Sequence, residues 1–137
     1  MKATSYFFFY TYVGLVAVAG FWGAFINPKY DHELLFNMHV EALEDSVETN
    51  LLSQYRFLRA IEFGFGVFAL TFTREIFKDR KTNTLFLFIM ASGILGRVAG
   101  ILMDGAPSLP MQFFMYYELV GLIAIAVYAK RHLYGAA

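Results

Sequence analysis

The sequence predicts an all-α integral membrane protein, a four-helix bundle with a short amphipathic helix on its outer surface between spans one and two. Three observations lead there. Hydrophobic residues make up 58% of the 137 and aromatics 19%, while charged residues supply only 16%, against about a quarter in soluble domains. Several long stretches hold no charge and end in turn residues or basic clusters. The remaining charges are segregated along the chain, although 11 Lys and Arg balance 11 Asp and Glu.

Span one runs over residues 6–26, from Tyr6 to Ile26, without a charge. At about 1.5 Å per helical residue this covers the roughly 30 Å of a hydrocarbon core. A secretory signal peptide is the alternative, suggested by Lys2 and Ala17-Val-Ala19, but the apolar run continues through Phe21, Trp22 and Phe25. Asn27-Pro28 ends the helix, because proline pushes its predecessor out of the α region. Span two covers about residues 55–75 and is apolar except for Arg59 and Glu62. Spans three and four cover residues 84–103 and 109–129. The turn Asp104-Gly-Ala-Pro-Ser108 between them makes them antiparallel neighbours. The four spans form a single transmembrane domain over residues 1–137, with an outer loop at 27–50.

Basic residues in short loops stay on the cytoplasmic side. Lys2, Arg74, Lys78, Arg80, Lys81, Lys130 and Arg131 all fall on one side if both termini are cytoplasmic, which suits a bacterial inner membrane. The outer side then holds Asp31, Glu33, Glu41, Glu44, Asp45, Glu48 and Asp104 against Lys29 alone. Within the outer loop, Phe36, Val40, Leu43 and Val47 recur at helical spacing. They predict an amphipathic helix that packs on the outer ends of the spans as a lid.

Arg59, Glu62, Arg97 and Glu118 lie inside spans, where an unpaired charge costs at least about 2.5 to 3.5 kcal/mol. Similar depth in the three spans puts them in one layer in the outer half of the membrane. Arg56, Arg59 and Glu62 share a helix face at spacing three, and Arg97 shares one with Asp104 at spacing seven. Tyr55, Gln112, Tyr116 and Tyr117 supply hydrogen-bonding groups near that depth. Gly93, Gly96 and Gly100 form a small-residue stripe on span three that admits a close neighbour. The layer is either a buried ion-pair network or the lining of a cavity in which Arg59 or Arg97 binds an acidic group.

His32 and His39 read as part of a solvated acidic face. A metal set of His39 with Glu41, Glu44 or Asp45 matches no ligand spacing, so no metal and no cofactor are assigned. His132, after Lys130 and Arg131, reads as a headgroup contact, and Trp22 and Tyr128 as an interfacial aromatic belt. No phosphate loop, serine nucleophile or intramembrane haem pair is present. Neutral balance excludes a nucleic-acid partner, and the absence of cysteine excludes disulfides and thiol chemistry.

Asn50 followed by Arg56, Gly64 and Gly66, then Gly96-Arg97, Asp104-Gly105-Ala-Pro107-Ser108 and Glu118-Leu-Val, resembles an uncharacterised family of small bacterial four-helix membrane proteins of the DoxX-like group. The likeness covers about residues 50–123, and Leu51 stands where the family pattern carries an acid. It implies a four-helix bundle and gives weight to Arg97, Asp104 and Glu118. Members of the wider group are linked to quinone-coupled sulfur oxidation, for which this chain carries no cofactor motif.

The function expected is binding of a small amphipathic or lipid-like ligand at the Arg/Glu layer, or service as an accessory subunit of a membrane complex. Its residues are Arg56, Arg59, Glu62, Arg97, Asp104, Glu118 and Tyr117, with no catalytic residue assigned. The partners are the lipid bilayer, that ligand, and another membrane protein or a second copy of the chain. The alternatives are a membrane-embedded enzyme with Glu62 and Glu118 as acid and base, and a purely structural ion-pair network.

Overall fold

The computed structural model describes residues 2–135. Their regular structure is all helical, with no strand among them. The elements are α1 (Lys2–Phe21), α2 (Pro28–Phe36), α3 (Asp45–Thr71), α4 (Thr73–Lys78), α5 (Arg80–Asp104) and α6 (Leu109–Ala129). α1 and α6 each continue into a wider π-helical turn, at Trp22–Ile26 and Lys130–Tyr134.

The helix ends follow local chemistry. Asn27 leaves the helical region at φ −144° and its side chain accepts from the Tyr30 N–H, so α2 starts with Pro28 in its first turn. Asn37 ends α2 in the left-handed conformation at φ 53°, which asparagine tolerates better than most residues. Asp79 caps α5 by accepting from the Thr82 N–H and hydroxyl, both at 2.7 Å. Gly105, at φ 101°, opens the 105–108 connection, and Pro110 sits in the first turn of α6.

Three helices are long and apolar enough to cross a membrane: Lys2–Ile26, Arg80–Asp104 and Leu109–Tyr134. α3, which holds the expected second span, is not among them. α3 has the length, with 27 residues, but opens on Asp45 and Glu48 and carries Arg56, Arg59 and Glu62, so it lacks the composition. The lid helix is corrected. Phe36, Val40, Leu43 and Val47 do not share one helix: Phe36 closes α2, Val40 begins a 3₁₀ turn (Val40–Ala42), Leu43 follows that turn, and Val47 lies in α3. The Asn-Pro start and the left-handed Asn37 override the apolar spacing. Val40 alone of the four is buried, while Val47 is 47% exposed.

The chain divides into two compact units, residues 14–68 and residues 1–13 with 69–137. In the first, the later part of α1 crosses α3 at backbone distance. A Cβ on Gly20 would lie 2.5 Å from the Phe63 nitrogen, and one on Gly66 would lie 2.7 Å from the Ala17 Cβ. Close approach of this kind trades side chains for backbone dispersion contacts. Phe63 fills the adjoining space against Phe21, with ring centroids 5.5 Å apart.

The second unit has an aromatic core. Phe9 and Phe86 are buried, and Phe77 meets Phe9 edge-on at 5.2 Å and stacks on Tyr6 at 4.0 Å, arrangements that aromatic rings favour. Tyr128 belongs to this core, in a T-shaped contact with Phe77 at 5.8 Å. Its expected place in an interfacial belt is therefore corrected, because its ring completes the cluster formed by Tyr6 and Phe77. Trp22, by contrast, is exposed. Phe88, Leu95, Leu102, Phe113 and Ile123 are exposed on α5 and α6.

Candidate functional site

In the unit of residues 14–68, a buried polar cluster forms between α2 and α3. Tyr55, Arg59 and Glu62 lie three or four residues apart on α3, and so along one side of the helix. Starting α2 at Pro28 buries Asp31 and His32, at 7% and 2% exposure. The Tyr55 hydroxyl donates to Asp31 Oδ2 at 2.9 Å and accepts from Arg59 Nε at 2.7 Å. Arg59 Nη1 donates to Glu62 Oε2 at 2.6 Å, and Nη2 lies 3.6 Å from Asp31 Oδ2. The guanidinium also sits 5.0 Å from the centre of the Tyr55 ring, a cation–π distance. Arg59 is thus matched by two carboxylates and a phenol.

Two neighbours complete the cluster. Gly23 leaves the room it occupies, since a Cβ there would lie 2.5 Å from Asp31 Oδ2 and 2.8 Å from Arg59 Cγ. Arg56 does not join Glu62 but donates through Nη1 to the Ala24 carbonyl in the π-helical turn. His32 packs between Phe36 and Tyr55, with centroids 5.3 and 4.3 Å away, and its Nδ1 bonds the Pro28 carbonyl. The expected solvated positions of Asp31 and His32 are corrected, because the helix that begins at Pro28 turns both inward.

Lys29, Tyr30, Glu33, His39 and Glu41 line part of a cavity of about 250 Å³ beside α2. A hydrogen bond from Lys29 to Glu48, with Glu41 nearby, holds the ammonium above its ordinary pKa. Among the described residues, no three His, Asp or Glu side chains are grouped to hold a metal ion.

In the unit of residues 1–13 and 69–137, Arg97 on α5 meets Glu118 on α6. Nε lies 3.3 Å from Oε2, and Nη2 donates to Oε1 at 3.5 Å. These bonds are long for a charge-assisted pair, and the side chains keep 31% and 17% of their exposure. Tyr117, one residue earlier, bonds the Thr11 hydroxyl of α1. Asp104 is corrected as a partner of Arg97: seven residues are about 10 Å along a helix, and Asp104 is exposed at the end of α5 with no ion pair among the described residues. Gln112 donates to the Pro107 carbonyl, and Tyr116 is exposed. Gly93, Gly96 and Gly100 have nothing among the described residues within 4 Å of an added Cβ, so no neighbouring helix is seated on that stripe there.

The sequence reading assigned Arg59, Glu62, Arg97 and Glu118 and missed Asp31 and Gly23. The signal for Asp31 was Asn27-Pro28, which starts a helix as well as ending one. Chemically, Arg59 is engaged by Asp31, Tyr55 and Glu62, whereas Arg97 makes its one ion pair among the described residues with Glu118, at 3.3 and 3.5 Å.

Searches of curated proteins and of solved structures give no match. A model of the family described as domain of unknown function (DUF4345) matches residues 7–129. With nearly its whole length matched, the chain belongs to the DUF4345 family.

Proposed function

We propose that this is a polytopic membrane protein that holds a small acidic amphipathic or lipid-like molecule at Arg97, with Glu118 as the displaceable counter-ion. The observation that carries this reading is the Arg97–Glu118 pair. It lies within two apolar helices, has its Arg97–Glu118 contacts at 3.3 and 3.5 Å, and is still partly exposed. A carboxylate or phosphate with a tail can replace Glu118 at the guanidinium and seat that tail on apolar surface. Gly96 beside Arg97 adds no side chain in the way.

Arg59 serves architecture in this proposal. Asp31 and Glu62 neutralise it, which lowers the cost of immersing residues 55–75 and supports a fourth pass by α3. Both termini are then cytoplasmic, in a bacterial inner membrane, with the bases of 74–81 and 130–131 on the inner side. The proposed place within the DoxX-like group rests on the Gly96-Arg97, Asp104-Gly105 and Glu118 pattern. The enzyme alternative has less support, since Glu62 and Glu118 are each bound to an arginine. A role as accessory subunit or homo-oligomer has one observation in its favour, the open face at Gly93, Gly96 and Gly100.

The test is mass spectrometry of lipids copurified with detergent-solubilised protein. Arg97→Gln loses the acidic species, and Glu118→Gln retains or enriches it because a competing carboxylate is gone. Equal recovery from native protein and folded Arg97→Gln overturns the proposal. If the pair were purely structural, Glu118→Gln would instead lower the unfolding temperature, because Arg97 would lose its counter-ion.

A further inference from the structure

The sequence-expected headgroup contact was His132, but its ring stacks on Tyr128 at 4.1 Å and its Nδ1 bonds the Tyr128 carbonyl. The cations around it are arranged differently. The π-helical turn at Lys130–Tyr134 folds back on the start of α5 through three bonds. Arg80 Nε donates to the Leu133 carbonyl at 2.6 Å, the Tyr134 hydroxyl donates to the Arg80 carbonyl at 3.0 Å, and Thr84 Oγ1 lies 2.7 Å from that same hydroxyl. The Arg80 guanidinium rests 5.8 Å from the centre of the Tyr134 ring. His32 and His132 thus share a role: each ring closes a helical turn.

This clamp ties the turn that begins at Lys130 to Arg80 at the start of α5, and the Arg80 and Lys130 side chains are both exposed. Arg80 spends Nε on the turn. Among the described residues, Arg80, Lys81 and Lys130 form no ion pair; the pairs belong to Lys29, Arg59 and Arg97. The nearby acid, Asp79, is held by the Thr82 N–H and hydroxyl. Arg80 opens the apolar helix α5, and Lys130 follows the last residue of α6. Both therefore stand at the boundary of apolar helices, where phosphates of a bilayer would lie.

We propose that Arg80, Lys81 and Lys130 form a binding surface for the phosphate of an anionic phospholipid headgroup. The free Nη edge of Arg80 offers a planar fork that matches two phosphate oxygens. Lys81 and Lys130 add point charges, and three exposed cations with no salt bridge among the described residues give charge complementarity to a net-negative headgroup over a zwitterionic one. This rests on the membrane reading of the previous section, but not on its ligand at Arg97.

The test titrates full-length protein in a neutral detergent with phosphatidylglycerol, phosphatidylcholine or inorganic phosphate, reading bound lipid by native mass spectrometry and the unfolding temperature. Phosphatidylglycerol binds and stabilises, and phosphatidylcholine does not. Lys81→Gln and Lys130→Gln each weaken binding about fivefold, the effect of one cation near an anionic surface. The Lys130 side chain makes no hydrogen bond or ion pair among the described residues, so Lys130→Gln retains the native unfolding temperature in lipid-free detergent; Lys81 also helps hold the Asp79 carboxylate, so Lys81→Gln is read by lipid binding. Arg80→Lys, which keeps the charge without the fork, also weakens binding, and Arg97→Gln leaves it unchanged. Equal binding of the two lipids, native affinity in both lysine variants, or equal stabilisation by inorganic phosphate overturns the proposal. Loss of phosphatidylglycerol binding in Arg97→Gln alone moves the lipid to the other site. Recovery of the protein in the aqueous fraction without detergent overturns the membrane reading and this surface together.

Discussion

Asp31 and Arg59 are joined through one phenol: the Tyr55 hydroxyl donates to Asp31 Oδ2 at 2.9 Å and accepts from Arg59 Nε at 2.7 Å. The direct contact between the two charges is longer, 3.6 Å from Nη2 to Oδ2. The hydroxyl therefore satisfies both groups at once. Tyr55→Phe keeps the ring under the guanidinium but leaves a carboxylate oxygen and an N–H without that partner. The expected loss is about 1 to 3 kcal/mol, read as a lower unfolding temperature in detergent. An unchanged transition would show that water or another group replaces the phenol.

Glycines with and without neighbours make a second, sharper comparison. Gly20→Ala forces a methyl to within 2.5 Å of the Phe63 nitrogen and 2.8 Å of the Arg59 carbonyl oxygen, both backbone atoms. It is expected to cost at least about 1 to 3 kcal/mol, as overpacking does, or to prevent folding. Gly96→Ala enters open space and is expected to be neutral or to stabilise by up to about 1 kcal/mol through helix propensity. Measuring both unfolding transitions in one detergent checks the order, and the reverse order would contradict the packing described.

Asp79 makes the stability depend on pH in a defined direction. Hydrogen bonds from the Thr82 N–H and hydroxyl, with Lys81 adding to them, hold its carboxyl below the usual carboxylate range. A group depressed in the folded state stabilises above its unfolded pKa, about 3.9, and loses that contribution as pH falls through the lower folded value. The difference in unfolding temperature between native protein and Asp79→Ala should be constant above about pH 5 and shrink below about pH 4. A difference that persists unchanged into acid would show that the cap works without its charge.

Asn83 is fully buried, donates through Nδ2 to the Ile76 carbonyl at 2.8 Å, and has no partner for Oδ1 among the described residues. It ties the end of α4 to the first turns of α5. Asn83→Ala is expected to cost about 1 to 3 kcal/mol for the carbonyl left unpaired. Asn83→Asp is expected to cost more, because it removes the donor and introduces a buried carboxyl. Chemical unfolding of the two variants tests the ranking, and a milder effect of Asp would place a donor near Oδ1.

Much of the fold is written locally. The apolar runs, Asn27-Pro28 and the Asp104–Ser108 turn mark α1, α5 and α6, because helix length and capping depend on residues close in sequence. The i,i+3 contact of Arg59 with Glu62 is legible for the same reason. The lid helix was not, since apolar spacing across Phe36, Val40, Leu43 and Val47 survives a left-handed residue that physically ends the helix. Conversely, Asn27-Pro28 both stops the first helix and starts the one that buries Asp31.

Gly93, Gly96 and Gly100 show where local information stops. Their spacing is that of a helix-packing motif, yet it is Gly20 and Gly66 that meet a neighbouring helix. Spacing says which residues share a face; it does not say which faces meet. Three membrane-length helices, their turns and the scarcity of charge therefore follow from the amino-acid order alone. The partners of Arg59, the contacts of the Arg97–Glu118 pair and the clamp of Arg80 on Leu133 are products of tertiary packing. Each joins residues distant in the chain, and the free energy of such a pair is set by geometry and burial that no single segment contains.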